Sequence, residues 1–246
     1  MPQPPTAPSV AVLLTQPQCN MICTFCVTED NFDVLSFERA AALLEQIRAA
    51  GTRNVVLGGG EPFTWPHDLV RLAGHAKALG FTVQVATNAI ALPEGFEGLE
   101  CIDRFVLPLE SAEPGPHNEL RRYRERHHAI VLSALRKLAD AGKSVTISTV
   151  ATRRNVHAIP ALADYLRSHH EARPHLHAWH LYRFIPEGRG GAAHADELAI
   201  SEEAYEILFA GLRGRALPFR LYKRADMYQS QAVAFFSEQD GALVRT

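Results

Sequence analysis

Short apolar runs rich in β-branched residues alternate along this chain with amphipathic segments, and this alternation constrains the fold more than any other feature. The predicted strands are residues 9–15, 54–57, 81–86, 104–109, 144–151 and 178–185, with a terminal hairpin over 232–236 and 242–245. The predicted helices are residues 37–50, 67–79, 128–141, 159–168 and 201–212. Strands that alternate with helices run parallel and are joined by right-handed crossovers. The pattern predicts an open, partial barrel or a doubly wound sheet, and in both the functional site lies at the carboxyl ends of the strands.

Charge and hydropathy exclude several classes of function. The 246 residues include 25 Lys and Arg against 27 Asp and Glu, and the net charge of −2 does not suit a protein that coats nucleic acid. No apolar run approaches the ~18 residues that span a bilayer, and residues 1–8 lack the basic and apolar regions of a secretory signal. We therefore expect a cytoplasmic protein whose partner is neither nucleic acid nor a membrane.

Three of the four cysteines, Cys19, Cys23 and Cys26, are clustered directly after the first predicted strand. Three thiolates on one loop can bind three irons of a four-iron cluster and leave the fourth iron open to a small molecule. Cys101 precedes the strand at 104–109, so we expect it at the opposite end of the sheet. The alternative is a zinc site or three unrelated buried cysteines, although structural zinc takes four ligands, commonly as two spaced pairs.

A second motif, Gly58-Gly59-Gly60-Glu61-Pro62, ends the second predicted strand. Glycines let the backbone approach a ligand closely, and the carboxylate of Glu61 can bind an ammonium group. The alternative is a tight turn between strand and helix with an acidic residue on the surface. Because both motifs follow strands of one sheet, we expect them at the same end of the sheet and in one site.

Together, the spacing C-x3-C-x-Phe-C and the sequence Gly-Gly-Glu-Pro resemble the motifs of the radical S-adenosylmethionine (SAM) enzymes, and the resemblance extends from Val10 to about Gly190. It implies a partial (β/α)6 TIM-like barrel over residues 9–195. A Pro-rich lead-in (1–8) precedes the barrel, and a short C-terminal extension (196–246) is expected to cover its mouth. The implied cofactors are a [4Fe-4S] cluster and SAM. Reduction of the cluster would cleave SAM to methionine and a 5′-deoxyadenosyl radical that abstracts hydrogen from a substrate.

The resemblance also implies roles for individual residues. The three clustered cysteines would bind the cluster, Phe25 would lie near the adenine, and the methionyl ammonium would be held by Gly59, Gly60 and Glu61. Further cofactor contacts are implied for Asn88, Ser111, Arg122, Ser148 and Thr149. Arg121 is an equal alternative to its neighbour Arg122, and a polar residue at a strand end can instead be a cap or a turn residue.

Arginines follow the ends of the later predicted strands, at Arg121, Arg122, Arg124, Arg126, Arg153, Arg154, Arg183 and Arg189. Loops at these strand ends converge on one mouth, where guanidinium groups bind phosphate or carboxylate. We therefore expect a small anionic substrate, and the alternative is a set of solvated surface arginines. The candidate substrate contacts are Arg153, Arg183, Lys223 and Tyr228. An external electron donor such as flavodoxin or ferredoxin is the expected protein partner.

Two groups of histidines stand out. His169, His170, His175, His177 and His180 crowd one stretch, which we expect at the end of the sheet away from the cysteines. Solvated loop histidines and a second metal site are both open interpretations of that stretch. His117, His127 and His128 lie nearer to the expected mouth, where a contact between one of them and the substrate is also open.

Within the superfamily, the chain is similar to the viperin-like branch at Gln18-Cys19-Asn20, at Phe25-Cys26 and at Trp179. Members of that branch convert nucleoside triphosphates to 3′-deoxy-3′,4′-didehydro forms. Cys101 is the only cysteine after Cys26, so protein thiolates cannot bind an auxiliary cluster. A nucleoside triphosphate is the first expected substrate. The alternatives are a radical SAM enzyme that acts on a non-nucleotide biosynthetic intermediate or a peptide and, more distantly, a non-catalytic iron–sulfur or zinc binding module.

Overall fold

A computed structural model describes residues 8–228, 230 and 232–245, so residues 1–7 of the predicted lead-in lie outside the described residues. The first half contains β1 (Val10–Leu14), β2 (Ile22–Cys23), α1 (Phe37–Ala49), β3 (Asn54–Gly58), α2 (Leu69–Ala78), β4 (Thr82–Ala86) and β5 (Arg104–Pro108). It is followed by α3 (Pro114–Leu120), β6 (Arg121–Arg122), α4 (His127–Asp140), β7 (Ser144–Ala151), α5 (Ile159–Ala172) and β8 (Leu176–Arg183). The last part contains α6 (Gly188–Gly191), α7 (Ala195–Leu198), α8 (Glu202–Arg213), β9 (Arg220–Arg224), β10 (Val233–Gln239) and β11 (Ala242–Arg245).

Eight parallel strands form one sheet in the order β10-β1-β3-β4-β5-β7-β8-β9, and β11 extends it as an antiparallel edge beside β10. The six strands predicted from the alternating pattern occupy the middle of this sheet in chain order. They lack the reversal of strand order that a doubly wound sheet has at its switch point. The expectation of a partial TIM-like barrel is therefore confirmed. Within the described residues β9 and β10 do not pair with each other, so the barrel is open between them.

The two faces of the sheet differ in their surroundings. Alternate strand residues, such as Leu13, Val55 and Ile147, are fully buried against the helices in one apolar core. The residues between them, such as Val12 and Ser148, point away from the helices and remain partly accessible. We call the side that they line the inner face. The period-two alternation of a strand assigns each residue either to the core or to the inner face.

Local sequence signals set the helix ends. Ser36, Asp68 and Ser201 each accept a hydrogen bond from the backbone N–H three residues further on, and so cap α1, α2 and α8. Gly51 and Gly80 follow α1 and α2 with φ of 103° and 80°, a conformation that favours glycine. All five predicted helices are present. No helix in the described ranges is long and apolar enough to cross a membrane.

Three features of the fold differ from the expectation. β8 spans Leu176–Arg183 rather than the predicted 178–185, so His180 is the fifth residue of the strand rather than its third and lies further from the amino end of the sheet than expected. β9 is not indicated by its sequence, RLYKR, because that segment contains no β-branched residue. The terminal hairpin is confirmed, but its first strand also pairs in parallel with β1. The C-terminal segment therefore adds a strand to each edge of the predicted six-stranded sheet.

Candidate active site

The three clustered cysteines lie on the loop that follows β1, at the carboxyl end of the sheet. β2 ends in Cys23 and pairs antiparallel with β6, which sets Cys23 opposite Arg121. The end of β3 binds the same loop, because the backbone N–H of Gly60 donates to the carbonyl oxygen of Gln16 at 2.7 Å. The loop is thus fixed between two strand segments that are far apart in the sequence.

Two glycines allow the backbone to pass closely against this loop. A Cβ atom at Gly60 would lie 1.9 Å from the carbonyl oxygen of Gln18, and one at Gly190 would lie 2.3 Å from the carbonyl oxygen of Cys23. A side chain at either position would displace the loop. The Gly-Gly-Glu motif predicts the first of these contacts. The second is made by α6, whose sequence is GRGG.

A nitrogen donor lies beside each cysteine: Asn88 beside Cys19, Arg121 beside Cys23, and Arg189 beside Cys26. Asn88 Nδ2 is 3.5 Å from the sulfur of Cys19, and Arg121 Nη1 is 3.5 Å from that of Cys23. Burial raises the pKa of Cys23 to about 12, and the guanidinium of Arg121 opposes that rise. Burial therefore favours the neutral thiol at Cys19 and Cys23, and the neighbouring donors offset only part of the cost of negative charge on sulfur.

The donor set fits an iron–sulfur cluster better than a single metal ion. Among the described residues, no three His, Cys, Asp or Glu side chains converge closely enough to bind one ion together. A four-iron cluster takes one thiolate at each iron, and hydrogen bonds from donors such as Asn88 and Arg121 stabilise the charge on sulfur. Cys101 lies before β5 as expected, and its sulfur is 3.7 Å from the carbonyl oxygen of Val70.

Glu61 is fully buried and joins the end of β3 to the turn after β4. Its Oε1 accepts hydrogen bonds from the Phe63 N–H at 3.0 Å and the Thr87 hydroxyl at 2.7 Å, and its Oε2 accepts one from the Asn88 N–H at 2.7 Å. Burial raises the pKa of Glu61, and these hydrogen bonds oppose the rise. The carboxylate thus positions Asn88, and Asn88 in turn contacts Cys19.

Of two adjacent arginines, Arg121 faces the cysteine loop and Arg122 does not. Arg121 Nε donates to Oε1 of the buried Glu110 at 2.7 Å, and the guanidinium lies 4.9 Å from the ring centroid of Phe25. Arg122 is exposed, and its Nε is 3.4 Å from the carbonyl oxygen of Glu119. Consecutive residues of a strand face opposite sides, so the pairing of β6 with β2 decides which arginine reaches the cysteines.

The other residues predicted to contact cofactor differ in accessibility. Ser111 is buried and accepts a hydrogen bond from the Glu113 N–H at 3.0 Å, which makes it part of a local turn. Thr149 is buried on the side of the helices, where its hydroxyl accepts from Trp179 Nε1 at 2.8 Å. Ser148 lies on the inner face and stays partly accessible. Phe25 is buried in an apolar cluster with Leu120, Phe184 and Leu198.

The four candidate substrate contacts lie in different surroundings. Lys223 points toward the helices and forms an ion pair with Glu206 of α8. Arg153 is exposed, and Arg183 donates to a backbone carbonyl at 3.3 Å. Tyr228 is exposed and lies near the cysteine loop, where burial and acidic neighbours raise the pKa of its hydroxyl. The structure does not bring these four side chains together.

The remaining arginines of the predicted cluster are paired or exposed. Arg154 pairs with Glu197, and Arg189 pairs with Asp30 at 2.7 Å. The exposed members are Arg122, Arg124 and Arg126. Arg122, Arg124 and Arg154 line one surface cavity together with the acidic residues Glu119, Glu125 and Glu197.

Two buried histidines form one hydrogen-bonded chain behind the site. The Glu110 N–H donates to His117 Nδ1 at 3.1 Å, His117 Nε2 and His127 Nδ1 are 2.8 Å apart, and His127 Nε2 is 2.8 Å from the carbonyl oxygen of Asn88. An N–H can only donate and a carbonyl can only accept, so this network assigns His117 as the donor to His127. Burial lowers the pKa of His127 to about 4 and that of His117 far below its usual range. Both residues are neutral and belong to the frame of the site.

The second histidine group is dispersed. His169 and His170 lie in the last turn of α5 and His175 precedes β8, which agrees with the expected position away from the cysteines. His180 instead lies on the inner face, with its ring centroid 5.0 Å from that of Tyr222. His177 and His180 lie within β8, whereas the other three histidines precede it.

Comparison with known proteins bears on both the fold and the family. The model of the Radical SAM superfamily matches residues 13–166, more than half of the chain. The crystal structure of Streptococcus suis SuiB bound to S-adenosylmethionine superposes with a TM-score of 0.71 at 17% sequence identity, and the alignment covers 89% of this chain and 51% of that chain. At this identity the likeness shows the fold alone.

Two curated proteins are similar over most of this chain. The PqqA peptide cyclase of Streptomyces rochei is 27% identical over 233 residues, which cover 92% of this chain and 63% of the relative. The S-adenosylmethionine-dependent nucleotide dehydratase of Lacinutrix mariniflava is 26% identical over 215 residues, which cover 80% of this chain and 43% of the relative. The chain thus spans about half the length of the curated relatives that it matches.

Proposed function

We propose that this chain, which belongs to the radical SAM superfamily, is an enzyme that cleaves SAM reductively and abstracts hydrogen from a small anionic substrate. Its cofactors are a [4Fe-4S] cluster and SAM. The observation that carries the proposal is the loop at the carboxyl end of the sheet, where a nitrogen donor accompanies each of Cys19, Cys23 and Cys26. When bound, the reduced cluster supplies the electron that splits SAM into methionine and a 5′-deoxyadenosyl radical.

The residues around the loop hold and shield the cofactors in this proposal. The three cysteines are the cluster ligands, and Arg121 places a fixed positive charge 3.5 Å from the sulfur of Cys23. Asn88 adds an uncharged donor at Cys19, and the buried carboxylate of Glu61 keeps it there. The apolar cluster that contains Phe25 excludes water from one side of the loop.

A nucleoside triphosphate is the first substrate to test. The similarity to a nucleotide dehydratase over 80% of this chain supports a nucleotide. A second candidate is a peptide or another non-nucleotide intermediate, which the similarity to a peptide cyclase over 92% of the chain supports. A flavodoxin or ferredoxin is the proposed electron donor for either substrate. We also propose that residues 9–195 form the body of the barrel and that residues 196–246 cover its mouth.

The test is the formation of 5′-deoxyadenosine by anaerobically reconstituted protein that is given SAM and a reductant. We expect slow formation without substrate and strong stimulation by one nucleoside triphosphate from a panel. Slow formation that no nucleotide changes would favour the second class of substrate. The absence of 5′-deoxyadenosine from protein that holds its iron would overturn the function. Anaerobically purified protein that contains zinc and no iron would instead indicate a metal-binding module.

A further inference from the structure

The inner face of the sheet carries positive charge and no acidic residue. The alternation along the eight parallel strands assigns three arginines to this face, Arg104, Arg220 and Arg224, and neither an aspartate nor a glutamate. The chain as a whole has more acidic than basic residues, so this separation of charge is not a consequence of composition. A concave surface with one sign of charge attracts ions of the opposite sign.

Arg224 lies at the carboxyl end of this face, within an aromatic wall. Arg224 pairs with Tyr182 of β8, and Tyr222, two residues earlier in β9, pairs with His180. The aromatic wall consists of Tyr182, Tyr222 and His180. The guanidinium carbon of Arg224 is 5.1 Å from the ring centroid of Tyr222, and the ring of His180 packs edge-on against the same ring. Stacking on an aromatic ring positions a guanidinium and leaves its charge intact.

Arg224 has no carboxylate oxygen within 4.0 Å among the residues that the structure describes. Its neighbour Lys223 is paired with Glu206 on the opposite side of the strand. Burial raises the pKa of the Tyr182 hydroxyl, and burial and Arg224 lower the pKa of His180 to about 3. At neutral pH the wall therefore combines one unneutralised cation with neutral groups that can donate hydrogen bonds.

The wall is connected to the cysteine loop through two neighbouring strands and the Glu110–Arg121 ion pair. Tyr182 pairs with Val150 of β7, whose N–H donates to Glu110 Oε2 at 2.7 Å. Glu110 in turn binds Arg121 beside the loop. Neighbouring strands are about 4.8 Å apart, so two strand spacings, roughly 10 Å, separate the backbones of Val150 and Arg224. A small molecule bound to Arg224 can therefore extend toward the cysteines.

We infer that the inner face of β8 and β9 is the anion subsite for the substrate, in which Arg224 binds a phosphate or a carboxylate and the hydroxyl of Tyr182 donates to the same group. The inference rests on the proposed function and specifies the class of substrate and the residues that select it.

The experiment measures binding of three probes, inorganic pyrophosphate, ATP and malonate, to anaerobically reconstituted holoprotein with SAM by titration calorimetry. Arg224→Gln and Lys223→Gln each remove one positive charge from adjacent positions on opposite faces of β9, so the second variant is the matched control. We expect at least one probe to bind the wild type. Its Kd is expected to rise about 10- to 100-fold in Arg224→Gln, the effect of a lost charged hydrogen bond, and less than about twofold in Lys223→Gln. Arg224→Lys, which keeps the charge but not the planar fork, is expected to recover part of the affinity.

The probes also distinguish the two anions. Binding of pyrophosphate or ATP without malonate identifies a phosphate group, and binding of malonate alone identifies a carboxylate. Equal affinity in wild type and Arg224→Gln, or no binding of any probe to the wild type, overturns the subsite. Formation of 5′-deoxyadenosine without a probe tests the proposed function separately. Wild type that forms none but binds pyrophosphate through Arg224 would therefore refute the proposed function and leave the anion site in place.

Discussion

Arg121 Nε and Glu110 Oε1 lie 2.7 Å apart in a buried ion pair, and the same guanidinium is 3.5 Å from the sulfur of Cys23. Glu110 follows β5 and also accepts the N–H of Val150 on β7, so it is anchored to two strands of the barrel. The ion pair therefore joins the frame of the barrel to the cysteine loop. Removing one member of such a pair leaves a buried charge without a partner, which costs more than removing both.

The first prediction concerns the stability that this pair contributes. Arg121→Met is expected to lower the free energy of unfolding by roughly 3–5 kcal/mol, because it leaves Glu110 buried and charged. The double variant Glu110→Gln/Arg121→Met is expected to recover most of that loss. The free energy of unfolding is measured in urea for the wild type, both single variants and the double variant, and the four values form a double-mutant cycle. Arg122→Met, the exposed control, should change stability by less than about 0.5 kcal/mol. Strictly additive losses would show that the two side chains do not act as a pair.

The second prediction concerns the cluster ligands. Cys19→Ala, Cys23→Ala and Cys26→Ala are each expected to lose iron and SAM cleavage after anaerobic reconstitution. Cys101→Ser is the matched control and is expected to keep both. Cys101 lies before β5, at the amino end of the sheet, and its sulfur contacts the carbonyl oxygen of Val70 in α2. Iron content and 5′-deoxyadenosine formation measure the outcome. Wild-type iron content in one of the three alanine variants would remove that cysteine from the ligand set.

The partial barrel and the position of the cysteine loop could be predicted because both depend on local signals. Hydrophobic periodicity and helix caps act within a few residues, and the parallel order follows from the alternation of elements. The choice between Arg121 and Arg122 could not be predicted, because it depends on the register between β6 and β2, which are about 100 residues apart.

The inner face illustrates the same limit. β9 has no local strand signal, so only its pairing with β8 shows that Arg224 points inward and Lys223 outward. His180 lies two strand positions further from the amino end of β8 than predicted, because β8 begins at Leu176 rather than at residue 178. A shift of register by one residue moves a side chain to the other face of the sheet.

The third prediction concerns Glu61. Its buried carboxylate accepts three hydrogen bonds, and these stabilise it in its buried position. Glu61→Gln replaces one acceptor oxygen by an N–H₂ group that faces a donor. We expect a loss of roughly 1–3 kcal/mol in the free energy of unfolding, since at least one buried N–H or O–H loses its partner. Reconstituted protein is also expected to lose iron faster, because Asn88 is released from its position beside Cys19. Glu94→Gln, on the exposed surface, is the control for both measurements. Unchanged stability and iron retention in Glu61→Gln would contradict the positioning role.

The chain of hydrogen bonds through His117 and His127 provides a reason for acid sensitivity. Burial lowers the pKa of His127 to about 4, whereas an unfolded chain has a histidine pKa of about 6.5. Between these values the unfolded chain binds a proton that the folded protein does not bind. The free energy of unfolding is therefore expected to decrease as the pH falls from about 6.5 to about 4.

The last prediction isolates this contribution. His127→Gln keeps an amide that can hydrogen-bond to the Asn88 carbonyl but does not titrate. Urea unfolding of protein prepared without iron is measured at pH 7 and at pH 5. The loss of stability between these conditions should be smaller in His127→Gln than in the wild type by roughly 1–2 kcal/mol. His157→Gln, at an exposed position, is the matched control and should keep the pH dependence of the wild type. Equal pH dependence in wild type and His127→Gln would mean that the acid sensitivity arises at other groups. The histidine chain would then order the site without making the free energy of unfolding depend on pH.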